Sequence, residues 1–167
     1  FNRGQSSLPT HPGARIIHGD RTAYPVFEAQ MAEAGKFDVV MDMVGYQPED
    51  GESVVRAFSG QVGHFIFCST VDVYRKLAFR FPILETEPYG GLNPYSSKKV
   101  IIEKGLLEAQ HRGAFPLTII RPAYTYGESL GSLTPFSGKY ALDRFRRGKP
   151  IVVHGDGSSF WTGGHRD

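Results

Sequence analysis

Apolar and polar positions along the chain switch repeatedly between a rhythm suited to strands and one suited to helices. Arg15-Ile16-Ile17-His18 has the look of a short strand ending at Gly19-Asp20. From about residue 23 to residue 34, Val26, Phe27, Met31 and Ala34 recur at helical spacing, and Gly35 closes that helix. Residues 37–44 form a near-continuous apolar run, which predicts a strand covered on both faces. Residues 48–58 read as a helix with Val54, Val55 and Phe58 inward, interrupted by Gly51. A second buried strand, 64–68, ends in Ser69-Thr70, and a loop from Asp72 to Asn93 follows. Asn93 and Pro94 are a cap and a first helical residue, Val100, Ile101, Glu103, Leu106 and Leu107 continue the helical pattern, and Gly113 stops it. Residues 115–120 predict a strand, 135–147 a helix, and 150–153 a short strand before the turn at 154–157. This alternation predicts an open, mostly parallel α/β sheet with right-handed crossovers and helices on both faces. Ligands bind beyond the carboxyl ends of such strands, and Asp20, Gly45, Tyr46, Thr70 and Pro122 each follow a predicted strand.

Composition narrows the function classes. With 167 residues, 40% apolar and 22% charged, the chain has room for one ordinary globular core. A net charge of +2 gives no reason to expect nucleic acid as a partner, and the basic run Arg144, Arg146, Arg147 and Lys149 reads as a solvated helix end. The single cysteine, Cys68, excludes an internal disulfide, sits in an apolar run, and fits a reducing, cytoplasmic setting. No apolar run reaches membrane-spanning length, and the six histidines are too scattered for a metal site, so no metal is expected.

The chemistry centres on Tyr95 and Lys99, four apart and so one turn from each other on one helix face. An ammonium fixed beside a phenol favours the phenolate, and the expectation is a tyrosine pKa lowered into acid/base range. Taken alone the spacing more often describes a solvated helix face.

The surrounding motifs change that balance. His18-Gly19-Asp20-Arg21, then Asp42-Met43-Val44-Gly45, then Phe67-Cys68-Ser69-Thr70-Val71-Asp72-Val73-Tyr74, then Pro94-Tyr95-Ser96-Ser97-Lys98-Lys99, and then Arg121-Pro122-Ala123-Tyr124-Thr125-Tyr126-Gly127 occur in that order. Together they resemble the extended short-chain dehydrogenase/reductase family, the NAD(P)-dependent nucleotide-sugar epimerases and dehydratases. The resemblance implies a Rossmann-like fold, with residues 1–150 as a partial dinucleotide-binding domain and 151–167 as the start of a C-terminal substrate region. It implies Tyr95 as acid/base, Lys99 as the residue that tunes it and holds the nicotinamide ribose, and Thr70 as the hydroxyl that holds the substrate. It further implies that Asp20, Met43, Val44, Gly45, Ser69 and Pro122 line the cofactor, that Tyr124 touches substrate, and that the protein forms a homodimer. The substrate class is a nucleotide sugar or a related hydroxyl or carbonyl compound. The reaction could be epimerisation, dehydration or net reduction.

Several positions carry a second reading. Asn2-Arg3 lacks the acid that NAD users place against the ribose, and Arg3 offers a guanidinium to a 2′-phosphate, which favours NADP over NAD; otherwise it is a surface arginine. Asp20 can be a turn residue, and Thr70 can bond its own backbone. Arg121 suits a structural ion pair, Glu85 and Glu87 solvent, Tyr74 and Tyr126 packing, and Trp161 a core anchor. Lys98 stands where the family usually has serine. The family's first strand and G-x-x-G-x-x-G turn do not occur in these residues, and the chain stops at Asp167 before most of a substrate lobe, as in a fragment. A catalytically silent binding protein on the same scaffold, for example an RNA-binding one, is the alternative; the intact Tyr95 and Lys99 favour the enzyme.

Overall fold

The computed structural model describes residues 1–5, 11–76, 81–127, 138–153, 155–158 and 162–165. Helix α1 spans Tyr24–Ala34, strand β1 Phe37–Asp42, helix α2 Pro48–Phe58, strand β2 Val62–Cys68, a 3-10 turn Val71–Val73, helix α3 Pro94–His111 and strand β3 Leu117–Ile120. Beyond these lie β4, Tyr124–Tyr126, helix α4, Gly138–Arg146, and β5, Gly163–His165. Two compact units result, Phe1–Arg121 and Pro122–Asp167.

In the first unit β1, β2 and β3 form a parallel sheet in chain order. Val40, Phe65 and Leu117 sit side by side in one row, and Asp42, Phe67 and Ile119 in the next row on the same face. That face meets the helices: Phe27, Met31, Val54, Phe58, Phe65, Phe67, Ile102, Leu106 and Phe115 make one buried cluster. Phe58 and Phe65 pack tilted with centroids 5.9 Å apart, and Phe65 and Phe115 at 5.1 Å. Burying side chains of this size is the main source of stability for the unit.

The opposite face corrects the expectation for residues 37–44. Val39 and Met41 are 51% and 64% exposed, and His64, Ile66, Thr118 and Ile120 share their side of the sheet. Both crossovers step the sheet in the same direction, so right-handedness puts α2 and α3 on one face, and α1 packs beside α2. Among the described residues, no helix of the first unit packs on the other face. Strand β1 also has no ladder on its outer edge among these residues, and a groove of about 400 Å³ runs beside it past Arg15, Ile17 and Arg21.

Other local expectations change for tertiary reasons. Residues 15–18 form only a single parallel bridge, His18 to Asn2, rather than a strand. Val26 is 57% exposed, because α1 buries only Phe27 and Met31. Residues 150–153 have no ladder partner and are not a strand, whereas β4 and β5 pair in parallel where no strand was expected. The start of the helix expected over 135–147 and Trp161 lie outside the described residues. Gly51, which weakened the helical pattern, is a contact point: a Cβ there would lie 3.0 Å from the Ile102 Cγ2 of α3.

Helix α3 begins as its sequence predicts. The Ser96 N–H donates to Asn93 Oδ1 at 2.8 Å, and the Asn93 N–H donates back to Ser96 Oγ at 3.2 Å, closing a capping box. Beyond Arg112, Gly113 takes φ 79°, the left-handed conformation that ends helices. Its buried stripe is Ser96, Lys99, Ile102, Glu103, Leu106 and Ala109, so three polar side chains face inward while Ile101 is 54% exposed.

Candidate active site

Three backbone features aim the site residues. The capping box starts α3 at Pro94 and leaves Tyr95 in its first turn at the surface, 43% exposed, with Lys99 one turn on, 1% exposed. Strand β2 delivers Ser69 and Thr70 to the same place, where the Ser69 N–H donates to the Ile120 carbonyl at 2.7 Å. Thr70 caps the 3-10 turn, its Oγ1 accepting from the Asp72 N–H at 3.2 Å. The backbone-bonding reading of Thr70 is therefore real, and the same hydroxyl stands near enough to the Tyr95 phenol to favour its phenolate.

Lys99 is held differently from the expectation. Its Nζ donates to the Cys68 carbonyl at 2.8 Å and lies 4.7 Å from the centre of the Phe67 ring, 4.9 Å from that of Tyr46 and 6.0 Å from that of Tyr95. Burial pushes the ammonium's pKa below the ordinary lysine value, opposed by Cys68, Asp42, Asp50 and Glu103. The Tyr95 pKa is raised, chiefly by partial burial and then by Tyr46, with the neighbouring Thr70 hydroxyl pulling it down. The expected lowering by Lys99 is corrected: the ammonium sits beneath the rings and spends its contact on the Cys68 carbonyl. The phenol is accordingly protonated at neutral pH, in the form that gives a proton.

Residues after β1 form one wall. Gly45 is buried against Phe67: an added Cβ would stand 2.8 Å from Phe67 Cε2. Gly45→Ala is expected to push Phe67 out from under Lys99 and to cost about 1–3 kcal/mol, read as a lower urea midpoint. Val44 and Met43 are 49% and 59% exposed, the Val44 N–H donating to Asp42 Oδ1 at 3.0 Å. Val44 and Tyr46 line a cleft of about 380 Å³ whose other end is Arg3, Asp20, Arg21 and Thr22. Tyr46 in turn stacks beside Tyr95, centroids 6.3 Å apart. The candidates Arg3, Asp20 and Val44 thus share one cleft, and Tyr46 links it to Tyr95. Asp20 is an exposed turn residue whose Oδ1 accepts from the Thr22 N–H and hydroxyl, and these bonds hold its carboxyl below the usual range. Pro122 and Tyr124 belong to the second unit, where Tyr124 opens β4.

Sequence reasoning singled out Tyr46 only as a strand-end residue, and it missed the buried acids. Asp42 is 8% exposed and ion-pairs with Arg21 Nη2 at 3.7 Å. Asp50 is 2% exposed, its Oδ2 accepting from the Tyr46 and Gln47 N–H groups at 2.8 Å each. The signal available for Asp50 was its place three residues after Gln47 at a helix start, a capping arrangement. Glu87 was expected in solvent; its side chain is only 5% exposed, and it pairs with Arg75 at 3.5 Å because the loop folds back on itself.

Arg121 makes the structural ion pair the sequence suggested. Its Nη2 donates to Glu103 Oε2 at 2.6 Å and to the Tyr89 hydroxyl at 3.1 Å. Burial first, and Glu103 second, push the Tyr89 phenol up to about 12. An acid whose folded-state pKa is raised costs nothing below the unfolded value, and stability falls as pH climbs from about 10 towards 12, where only the unfolded chain ionises. Tyr89→Phe is therefore expected to flatten that stretch of the stability curve, as read from urea midpoints at successive alkaline pH values.

No helix among the described residues is long and apolar enough to cross a membrane. The family model described as "NAD dependent epimerase/dehydratase family" matches residues 2–165. No curated protein sequence matches significantly. Among solved structures, the fold is similar to dTDP-glucose 4,6-dehydratase from Bacillus anthracis in complex with NAD (TM-score 0.73, 18% identity, covering 93% of this chain and 52% of that one). It is similar also to UDP-glucuronic acid 4-epimerase from Bacillus cereus in complex with UDP-glucuronic acid and NAD (TM-score 0.68, 17% identity, 89% and 51%). A third is UDP-N-acetylglucosamine 4-epimerase from Methanobrevibacter ruminantium M1 in complex with UDP-N-acetylmuramic acid (TM-score 0.70, 16% identity, 95% and 56%). The chain spans about half the length of these structures.

Proposed function

Because this chain belongs to the NAD dependent epimerase/dehydratase family, we propose that it carries the acid/base half of an active site that works on a nucleotide sugar with NAD or NADP. One observation carries the reading: the buried Lys99 ammonium lies 6.0 Å from the centre of the Tyr95 ring and is bonded to the Cys68 carbonyl at the carboxyl end of β2, where Thr70 follows. A proton donor and a second hydroxyl at one point suit a substrate whose hydroxyl becomes a carbonyl.

Fit to the dinucleotide rests on this chain's own groups. Ser69 Oγ is buried without a hydrogen-bond partner, next to Thr70. The cleft past Tyr46 and Val44 ends at the Asp20 carboxylate and the Arg3 guanidinium, an acceptor and a cation suited to adenosine. Bound there, the nicotinamide ring supplies a hydride acceptor and donor. Tyr95 gives or takes the proton at the substrate oxygen, Thr70 orients that oxygen, and Lys99 holds the ribose from beneath Tyr95. Met43, Val44 and Gly45 would flank the dinucleotide. Arg3 favours a 2′-phosphate, so NADP binds more tightly than NAD.

The test is direct. The protein is incubated with NAD or NADP and a panel of UDP- and dTDP-sugars, with absorbance at the reduced-nicotinamide band and mass spectrometry of the sugars. Conversion of one sugar that depends on the dinucleotide supports the reading. Binding of neither dinucleotide, with structured RNA bound instead, overturns it in favour of a silent binding protein.

A further inference from the structure

The Arg121 side chain does more than neutralise one acid. Its Nε donates to Glu103 at 3.1 and 3.2 Å, its Nη2 to Glu103 and to the Tyr89 hydroxyl, and its Nη1 to the Tyr74 hydroxyl at 2.8 Å. The Tyr89 hydroxyl donates its own hydrogen bond to Glu103 Oε2 at 2.7 Å. Glu103 is fully buried and Tyr74 is 7% exposed. Tyr74 and Tyr89 are also joined by an antiparallel backbone bridge. One guanidinium therefore ties together α3, the turn that follows Thr70 and the loop that precedes α3.

The spacing gives this knot a purpose. Glu103 lies one turn beyond Lys99 and two beyond Tyr95 on the inward stripe of α3, and Tyr74 lies four residues beyond Thr70. The knot holds the elements that carry Thr70 and Tyr95 and makes no hydrogen bond to either residue. A single Arg–Glu bond would already compensate the buried charge; the bond to Tyr74 adds nothing to that and fixes where the turn stands. Only a planar fork with several donors can hold a carboxylate and two phenols at once, which a lysine could not.

Resting on the acid/base reading above, we propose that Arg121 and Glu103 are positioning residues that, through the Tyr74 hydroxyl, hold the Thr70 segment in register with Tyr95. Neither touches the cleft, and neither is catalytic.

The test reads the Thr70–Tyr95 contact without needing a dinucleotide. Tyrosines are labelled at the ring carbon bearing oxygen, Tyr95 is assigned with Tyr95→Phe, and its ionisation is followed by NMR after alkaline pH jumps, with dichroism confirming the fold. Tyr46, Cys68, Asp72, Thr70 and Lys99 face this phenol and stay constant except where named. Thr70→Val is expected to lower its dissociation constant about tenfold. In a Tyr74→Phe background the turn is already released, so the same change is expected to matter by less than about twofold. An equal Thr70→Val effect in both backgrounds overturns the proposal and leaves Arg121 a stabilising ion pair. Should Tyr74→Phe lose its fold, Glu103→Gln, which keeps the shape and removes the anchor's charge, gives the same comparison. Intact coupling in a protein that converts no sugar defeats the acid/base reading alone; conversion without coupling defeats this one alone.

Discussion

Tyr95→Phe is expected to lower dinucleotide-dependent turnover by about 10²–10⁴-fold with KM little changed. The substitution deletes one oxygen. The ring contact with Tyr46 at 6.3 Å and the helix cap at Asn93 are untouched, so the fold should survive. A fall in kcat without a change in KM identifies an interaction made in the transition state. The pH profile follows from the raised phenol. In the direction that removes a proton from substrate, kcat rises with pH towards a value above the ordinary tyrosine range, because partial burial disfavours the phenolate and Lys99 is turned to Cys68. In the reverse direction the phenol is already protonated at neutral pH and kcat is flat until that range is reached. A profile breaking near neutrality would mean that a bound dinucleotide redirects Lys99 towards the phenol. Unchanged turnover in Tyr95→Phe would end the acid/base assignment.

Arg121→Met is expected to cost about 3–5 kcal/mol of stability, read from urea unfolding. The loss comes from what remains: Glu103, fully buried, keeps its charge without a counter-ion, and the Tyr74 hydroxyl loses a donor. Removing both partners in Arg121→Met/Glu103→Leu is expected to recover most of that loss, since neither charge is then stranded. The pair is thus legible by a double-mutant cycle, with a coupling well above that of exposed pairs such as Arg147–Asp143, which should be worth about 0.3–0.5 kcal/mol. If the single and double variants unfold at the same urea concentration, no buried charge is being compensated.

How far the sequence was legible varies by element. Helix α2 is legible to both its ends because Pro48 opens it and Val54 and Phe58 mark its inward side. Helix α3 was read from its Asn93 cap, but its inward face was read too simply: Ile101 points out, while Glu103 and Lys99 are buried. Charged residues carry no inward signal in an apolar pattern, because their burial depends on partners such as Arg121 and the Cys68 carbonyl that come from other strands. The candidate residues Thr70, Tyr95 and Lys99 do gather in space. The direction of the Tyr95 pKa was misjudged because four-residue spacing puts two side chains on one face without deciding where the longer one points.

By itself the sequence determined where helices α2 and α3 begin and stop and that Thr70 follows a strand, because caps, glycines and apolar spacing act between near neighbours. Only the tertiary structure decided the one-sided covering of the sheet, the lysine beneath three aromatic rings, and the arginine that knots α3 to the Thr70 turn. Those depend on groups far apart in the chain, brought together by burial and then bound to satisfy the charges and hydrogen bonds that burial would otherwise leave without partners.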